Sequence, residues 1–337
     1  MSDFWKKMKR NKPFFCLAPM INVTDAAFRR IIAKYSRHGK PGGGPDVFWT
    51  EFTSADGLAS ERGREQVLRL LEFSPKEKPI IAQLFTADPE KMRIAARIVA
   101  RLGFAGIDIN MGCPDKDVVK NGAGVALIRN PKLAREIIRA AKLGITDAKK
   151  KIPVSVKTRL GYNALEYQTW LPELLAEGID ALTVHLRTKK EMSLVPAHWE
   201  LARDVANVVR ATDKDVVLIG NGDVESLADG GKKARESGFD GIMIGRGIFG
   251  NPWLFDRKRK DPPAVSEKIQ ALAEHAQLFE KILRHRHFAI MKKHFKAYVS
   301  GFDGAKELRI ALMETENAQQ AKTMIAGFLK THGPTGT

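Results

Sequence analysis

Eight times between residues 14 and 247, a short apolar, β-branched run gives way to a stretch with helical spacing. The runs are "FFCLAPM" (14–20), "DVFWTEF" (46–52), "PIIAQLF" (79–85), "GIDINMG" (106–112), "PVSVKTR" (153–159), "ALTVHLRT" (181–188), "DVVLIGNGD" (215–223) and "GIMIGRG" (241–247). Such alternation makes the strands parallel, because each helical crossover returns the chain to the same end of the sheet. Strands that stay apolar along their length are covered on both faces. The punctuation agrees: Asp88 stands where a helix cap belongs, Pro89 at the first helical position and Gly103 past the end. Eight units in roughly 250 residues is the count and length of a (β/α)8 TIM barrel. A doubly wound sheet calls for a glycine fingerprint after the first strand, and "CLAPMINVT" has none.

Past "RKRKDPP" (257–263), a charged and proline-bearing linker, the strand signal stops and helical spacing takes over. The sequence therefore divides into a barrel over 1–256 and a small all-helical domain over 257–337. From Arg257 onward there are fifteen Lys and Arg against eight Asp and Glu, within a chain whose formal net charge is +17. An excess of that size draws polyanions, nucleic acid first among them. The cluster "RHRH" (284–287) has no carboxylate or thiol partners at ligand spacing, so no metal is expected. No apolar stretch is long enough to span a bilayer, and the basic N-terminus makes a poor secretory signal. Two distant cysteines form no disulfide framework, so a soluble, cytoplasmic protein without a membrane partner is expected.

In such a barrel the chemistry lies at the C-terminal ends of the strands, with phosphate often held after the seventh and eighth. Those two runs end "IGNGD" (219–223) and "IGRG" (244–247). Their glycines let main-chain N–H groups approach a phosphate, and Arg246 adds a charged fork. Other strand ends are polar where a packed core would not be: Gln83, Lys157 with Arg159, and His185 with Arg187. Each pair shares a strand face by alternation. An amide, several cationic groups and a phosphate cradle suit flavin mononucleotide (FMN). Cys113 sits beside them, in a loop opened by Gly112, Gly122 and Gly124. A thiol with an ordinary pKa of about 8.5 is mostly protonated at neutral pH, ready to act as an acid or, once activated, as a nucleophile. Cys16, inside an apolar run, reads as core packing.

At these residues the chain resembles the tRNA-dihydrouridine synthases. "APMINVTDAAFR", "QLF", "DINMGCPDKDVVKNGAGVALIRNP", "VKTRLG", "VHLRT", "IGNGD" and "IGRG" fall in that family's order and spacing, and "KKHFKAYVSGFDGAKELR" is similar to the signature of its helical domain. The resemblance implies an FMN-bearing barrel and a helical domain that together bind tRNA, with NADPH as reductant. It implies reduction of specific tRNA uridines to 5,6-dihydrouridine, with hydride delivered to C6 and a proton from Cys113 to C5. By motif, Pro19 and Met20 would touch the flavin, Gln83 and Lys157 its ring edge, and His185 would lie beside it. Asn221, Gly222, Asp223, Gly245 and Arg246 would frame its phosphate, while Asn110, Arg159 and Arg187 would face the substrate base. No protein partner is implied, and a monomer is expected. The glycine-rich "HGKPGGGPD" before the second run departs from many members and leaves that loop's details open. Three other readings stand beside this one: a flavin oxidoreductase for a free pyrimidine or another small molecule, a phosphate-binding aldolase with Lys157 as Schiff base, and a non-catalytic RNA-binding protein.

Overall fold

Eight strand positions close on themselves, all parallel. In the computed structural model, which describes residues 2–213 and 215–332, the strands are β1 (Phe14–Leu17), β2 (Phe48–Trp49), β3 (Thr53–Ser54), β4 (Ile80–Phe85), β5 (Gly106–Met111), β6 (Val154–Gly161), β7 (Ala181–Thr188), β8 (Val217–Asn221) and β9 (Gly241–Ile244). Hydrogen bonding orders them β1-β9-β8-β7-β6-β5-β4-β2, and β3 pairs with β4 further along the same edge. A parallel bridge between Cys16 and Val47 brings β1 against the approach to β2 and completes the (β/α)8 barrel. β2 and β3 share the second position. Between them the Thr50 hydroxyl accepts from the main-chain N–H of Gln83 at 3.1 Å, so a side chain bonds where the ladder lapses.

The crossover helices start as their sequences direct. Asp88 accepts from the N–H groups of Glu90 and Lys91, capping Pro89–Val99. Asn130 caps Pro131–Asp147, and Ser226 caps Leu227–Ser237, which ends on Gly238 at φ 78°. The expected helix after the second run breaks into two short ones, Ala55–Ala59 and Arg64–Leu68.

Inside the barrel the side chains change character with height. The floor is an apolar cluster of Phe14, Cys16, Val47, Trp49, Ile81, Ala181, Val217, Ile219 and Met243. It is sealed by Trp5, carried on a helix over Asp3–Arg10 that the strand–helix pattern did not anticipate. Above the floor, on the same inward faces, the residues turn polar. Cys16 is fully buried in the floor, as expected of a packing residue.

Chain contacts divide the molecule into two compact units: residues 1–20, 46–72 and 78–245, and residues 21–45, 73–77 and 246–337. The helix Ala26–Tyr35, expected as the barrel's first crossover, thus groups with the C-terminal helices. These are Val265–Ile282, Lys292–Tyr298, Ala305–Met313 and Ala318–His332; residues 333–337 of the expected helical domain lie outside the described residues. A buried ion pair, Arg29 Nε to Glu77 Oε2 at 2.7 Å, anchors segment 73–77 in this second unit. Its core contains Phe28, Phe279, Phe295 and two fully buried imidazoles, His275 and His294, 4.5 Å apart between ring centroids. Burial lowers both, His294 to about 3, so both rings are neutral in the folded protein at neutral pH. Among the described residues no helix is long and apolar enough to cross a membrane.

If Trp5 seals the floor, Trp5→Ala leaves a cavity under the strands and should cost about 3–5 kcal/mol of unfolding free energy. Denaturant melts measure this; a loss below about 1 kcal/mol would mean that the floor is closed by the strands' own side chains.

Candidate active site

Parallel register sets the polar layer. Gln83 lies beside Asp108, Asn110 beside Lys157, Arg159 beside His185, and His185 beside Asn221. The most constrained part begins at Asp108, fully buried on β5. Its Oδ1 accepts from the Ser155 hydroxyl at 2.6 Å and its Oδ2 from Gln83 Nε2 at 2.6 Å. A carboxylate only accepts, so the Gln83 amide is held with its nitrogen toward Asp108 and its oxygen away. That oxygen accepts from Asn110 Nδ2 at 3.1 Å, which leaves Asn110 Oδ1 to accept from the N–H groups of Gly112 (3.1 Å) and Cys113 (2.9 Å). One buried charge therefore fixes the direction of every bond up to the main chain of Cys113. Burial raises the Asp108 carboxyl to about 6, opposed by Gln83, Ser155 and Lys157. Sequence reasoning missed Asp108. Its signal was a lone carboxylate in the apolar run "GIDIN", on the same face as Asn110.

Cys113 is half-buried. Burial is the largest influence on its thiol and pushes it up from the ordinary value, while Lys157 and Arg159 pull the other way. The group is a protonated thiol at neutral pH. Its loop cannot shift freely: a Cβ at Gly112 would meet the main chain of Thr158 at 3.2 Å, and the Cys113 carbonyl accepts from Val125 N–H at 3.1 Å. Lys157 keeps partial exposure, and its Nζ makes no hydrogen bond or salt bridge to any described residue. Desolvation, then the neighbouring Arg159 charge, lowers it to about 8, which leaves it a cation at neutral pH.

The arginines are more engaged than their sequence positions suggest. Arg159 donates from Nε to Gly112 O (2.8 Å) and from Nη1 to Thr188 O (3.0 Å) and Met192 O (2.9 Å). It ties the loop of Cys113 to the loop after β7, and burial lowers it to about 10. Arg187 donates to Val195 O at 2.7 Å, contacts His185 Nε2 at 3.1 Å and pairs with the Asp223 carboxylate. A guanidinium only donates, so His185 Nε2 accepts and the ring proton sits on Nδ1. Asp223 also accepts from Ala197 N–H at 2.9 Å.

Of the other expected residues, Asn221 donates from its amide to Met243 O at 2.9 Å, joining β8 to β9. Gly222 has φ 127°, and a Cβ there would come within 2.8 Å of Ala197 Cβ, so only glycine fits. Pro19 and Met20 follow β1, half-buried, and Gly245 follows β9; the Met20 sulfur lies 3.6 Å from where a Cβ on Gly245 would stand. Arg246 is exposed, in the turn Arg246–Ile248, and falls in the second unit.

The chain has counterparts among known proteins. The family model described as "Dihydrouridine synthase (Dus)" matches residues 16–331. The chain belongs to the dihydrouridine synthase family. It is 40% identical over 329 residues to a Staphylococcus aureus (strain COL) protein named "Probable tRNA-dihydrouridine synthase", covering 97% of this chain and 95% of that one. It is equally similar to "Probable tRNA-dihydrouridine synthase 2" of Bacillus subtilis (strain 168), at 40% identity and 96% coverage of the relative. Among solved structures, histamine dehydrogenase from Rhizobium sp. 4-9 superposes with TM-score 0.51 at 13% identity, over 78% of this chain and 48% of that longer one. That likeness is one of fold.

If the Asp108 acceptor sets the bond direction, Asp108→Leu should free the Cys113 loop, whereas Asp108→Asn keeps an acceptor toward Gln83. Alkylation of Cys113 should then quicken roughly 5- to 10-fold in the Leu variant, the worth of one hydrogen bond of about 1 kcal/mol. The Asn variant should stay within about twofold, because its acceptor preserves the bond. Peptide mass mapping reads this, with buried Cys16 as internal control; equal rates in folded wild type and Leu variant would contradict it.

Proposed function

We infer that this member of the dihydrouridine synthase family reduces uridines in tRNA to 5,6-dihydrouridine, with FMN as its flavin and NADPH as reductant. The observation that carries the reading is a protonated thiol, Cys113, held by a directional set of hydrogen bonds beside an unpaired ammonium, Lys157.

The residues at the mouth fit a flavin ring. Gln83 retains one amide N–H beyond its bond to Asp108, and among the described residues Lys157 offers an unengaged cation and the buried Thr183 hydroxyl has no partner. When bound, the flavin supplies hydride to C6 of the base. Gln83 and Lys157 would bond its ring edge, and Pro19, Met20 and His185 would lie against the ring. Asn221, Gly222, Asp223 and Gly245 would frame its phosphate, and Arg246, next to Gly245 in the chain, would supply charge. A uracil paired or stacked in folded tRNA is out of reach, so it must be extruded into the mouth. There Asn110 meets the base while Arg159 and Arg187 hold the surrounding loops. Cys113 then gives its proton to C5 on the face opposite the hydride. C5=C6 thus gains one hydride and one proton, and the thiolate left behind is stabilised by the charges of Lys157 and Arg159 until it is reprotonated.

The basic residues of 257–337 suit a tRNA-binding domain that works beside a catalytic domain over 1–256, in a cytoplasmic monomer. A reductase of a free pyrimidine would leave that charge without a role. If Cys113 is the acid, Cys113→Ala should keep its affinity for flavin and tRNA while dihydrouridine formation falls by roughly 10²–10⁴-fold. Cys16→Ala should remain near the wild-type rate. Equal turnover in wild type and Cys113→Ala would sink the assignment.

A further inference from the structure

Exposed apolar side chains gather at one part of the barrel rim. Leu165, in the loop after β6, and Met192, Leu194 and Val195, in the loop after β7, are among the few large hydrophobic residues left exposed, Leu194 at 87%. Main-chain bonds join the two loops: Lys189 N–H donates to Gly161 O and Lys190 N–H to Tyr162 O, both at 2.9 Å.

Charge in these loops is sorted by direction. The acidic groups point back onto the protein: Glu166 accepts from Tyr162 N–H at 2.6 Å, and Glu191 accepts from Thr188 N–H at 2.7 Å and contacts His198 Nε2 at 2.9 Å. The cations do not. Lys189 and Lys190, and Arg129 at the end of the turn Gly124–Arg129 after β5, have no salt bridge to any described residue. Two of them are held in place by an aromatic ring, Arg129 at 5.2 Å and Lys189 at 5.0 Å from the centroid of Tyr162. A cation over a ring keeps its charge and hydrogen-bond donors while losing mobility, so it meets a phosphate with less ordering cost. The surface is one side chain from the thiol, since the Arg159 guanidinium bonds both Gly112 O and Met192 O.

We propose that this rim, Arg129, Tyr162, Lys189 and Lys190 with Met192 and Leu194, docks the tRNA strand that flanks the target uridine. The proposal rests on the reading of the chain as a tRNA uridine reductase. The three cations meet phosphates on either side of the extruded nucleotide. Leu194 and Met192 cover the base faces that extrusion unstacks, contacts that are apolar and indifferent to sequence. A protein partner would leave three unpaired cations to be buried or matched, whereas an RNA strand supplies charge and exposed base faces together.

The test uses the full chain loaded with flavin and an unmodified tRNA transcript, in wild type, the double variant Arg129→Gln/Lys189→Gln, and Leu194→Ser. All three should melt alike and be reduced by NADPH alike without tRNA. In the double variant tRNA should bind about tenfold more weakly, and the slope of log affinity against log salt should shrink by roughly 1.4–1.8, two phosphate contacts' worth. Leu194→Ser should weaken binding a few-fold with an unchanged slope, because its contact is apolar. A folded double variant with wild-type affinity and slope would overturn the proposal. So would a Leu194→Ser variant that alters only the oligomeric state, since the patch would then be a protein interface. Should wild type bind tRNA with the expected slopes yet make no dihydrouridine, the enzymatic reading would fall and the docking surface would stand.

Discussion

A carboxylate that cannot reach water must be given hydrogen-bond donors, and Asp108 receives them from Ser155 and Gln83. This requirement organises the barrel mouth. It turns the Gln83 amide one way, which turns Asn110 one way, which leaves a carbonyl oxygen for the N–H groups of Gly112 and Cys113. Reversing any member would set donor against donor or acceptor against acceptor, each an unsatisfied buried group costing about 1–3 kcal/mol. A loop would otherwise be free to move its thiol by more than a proton transfer tolerates. Here it is tied to the packed interior.

The apolar floor makes such a polar layer affordable. Trp5, Trp49, Phe14 and their neighbours fill the lower barrel without polar demands beyond two indole N–H groups. Burial in the layer above has two consequences. It pushes the Cys113 thiol up, which keeps the proton available, and it lowers Lys157 and Arg159 without discharging them at neutral pH. An acid and the cations that stabilise its conjugate base are thus produced by the same burial.

The strand–helix order, the caps and the positions of the polar strand ends were legible because they depend on spacing and residue type. β4, β5, β6 and β7 fall within a residue or two of the runs that announced them. What stayed hidden depends on partners distant in sequence. Arg159 and Arg187 read as cations facing the substrate base, yet both are bound to main-chain carbonyls supplied by other loops. Asp108 gave only a faint local signal, a lone carboxylate in an apolar run, because the partners that define its role, Gln83 and Ser155, lie on other strands. The helix Asp3–Arg10 is short and basic, and its one informative residue, Trp5, gains meaning only from the barrel beneath which it packs. The helix Ala26–Tyr35 has ordinary crossover spacing; its grouping with the second unit follows from the Arg29–Glu77 pair and the ring contacts of Phe28 with His275 and His294.

The chemistry at Cys113 requires a uridine held in tRNA. Purified protein, NADPH, unmodified tRNA transcript and an excess of free uridine can be combined in one reaction, and both pyrimidine pools read by mass spectrometry. Particular tRNA uridines should gain the mass of two hydrogens while free uridine is left unchanged. Reduction of free uridine with the tRNA unaltered would contradict this.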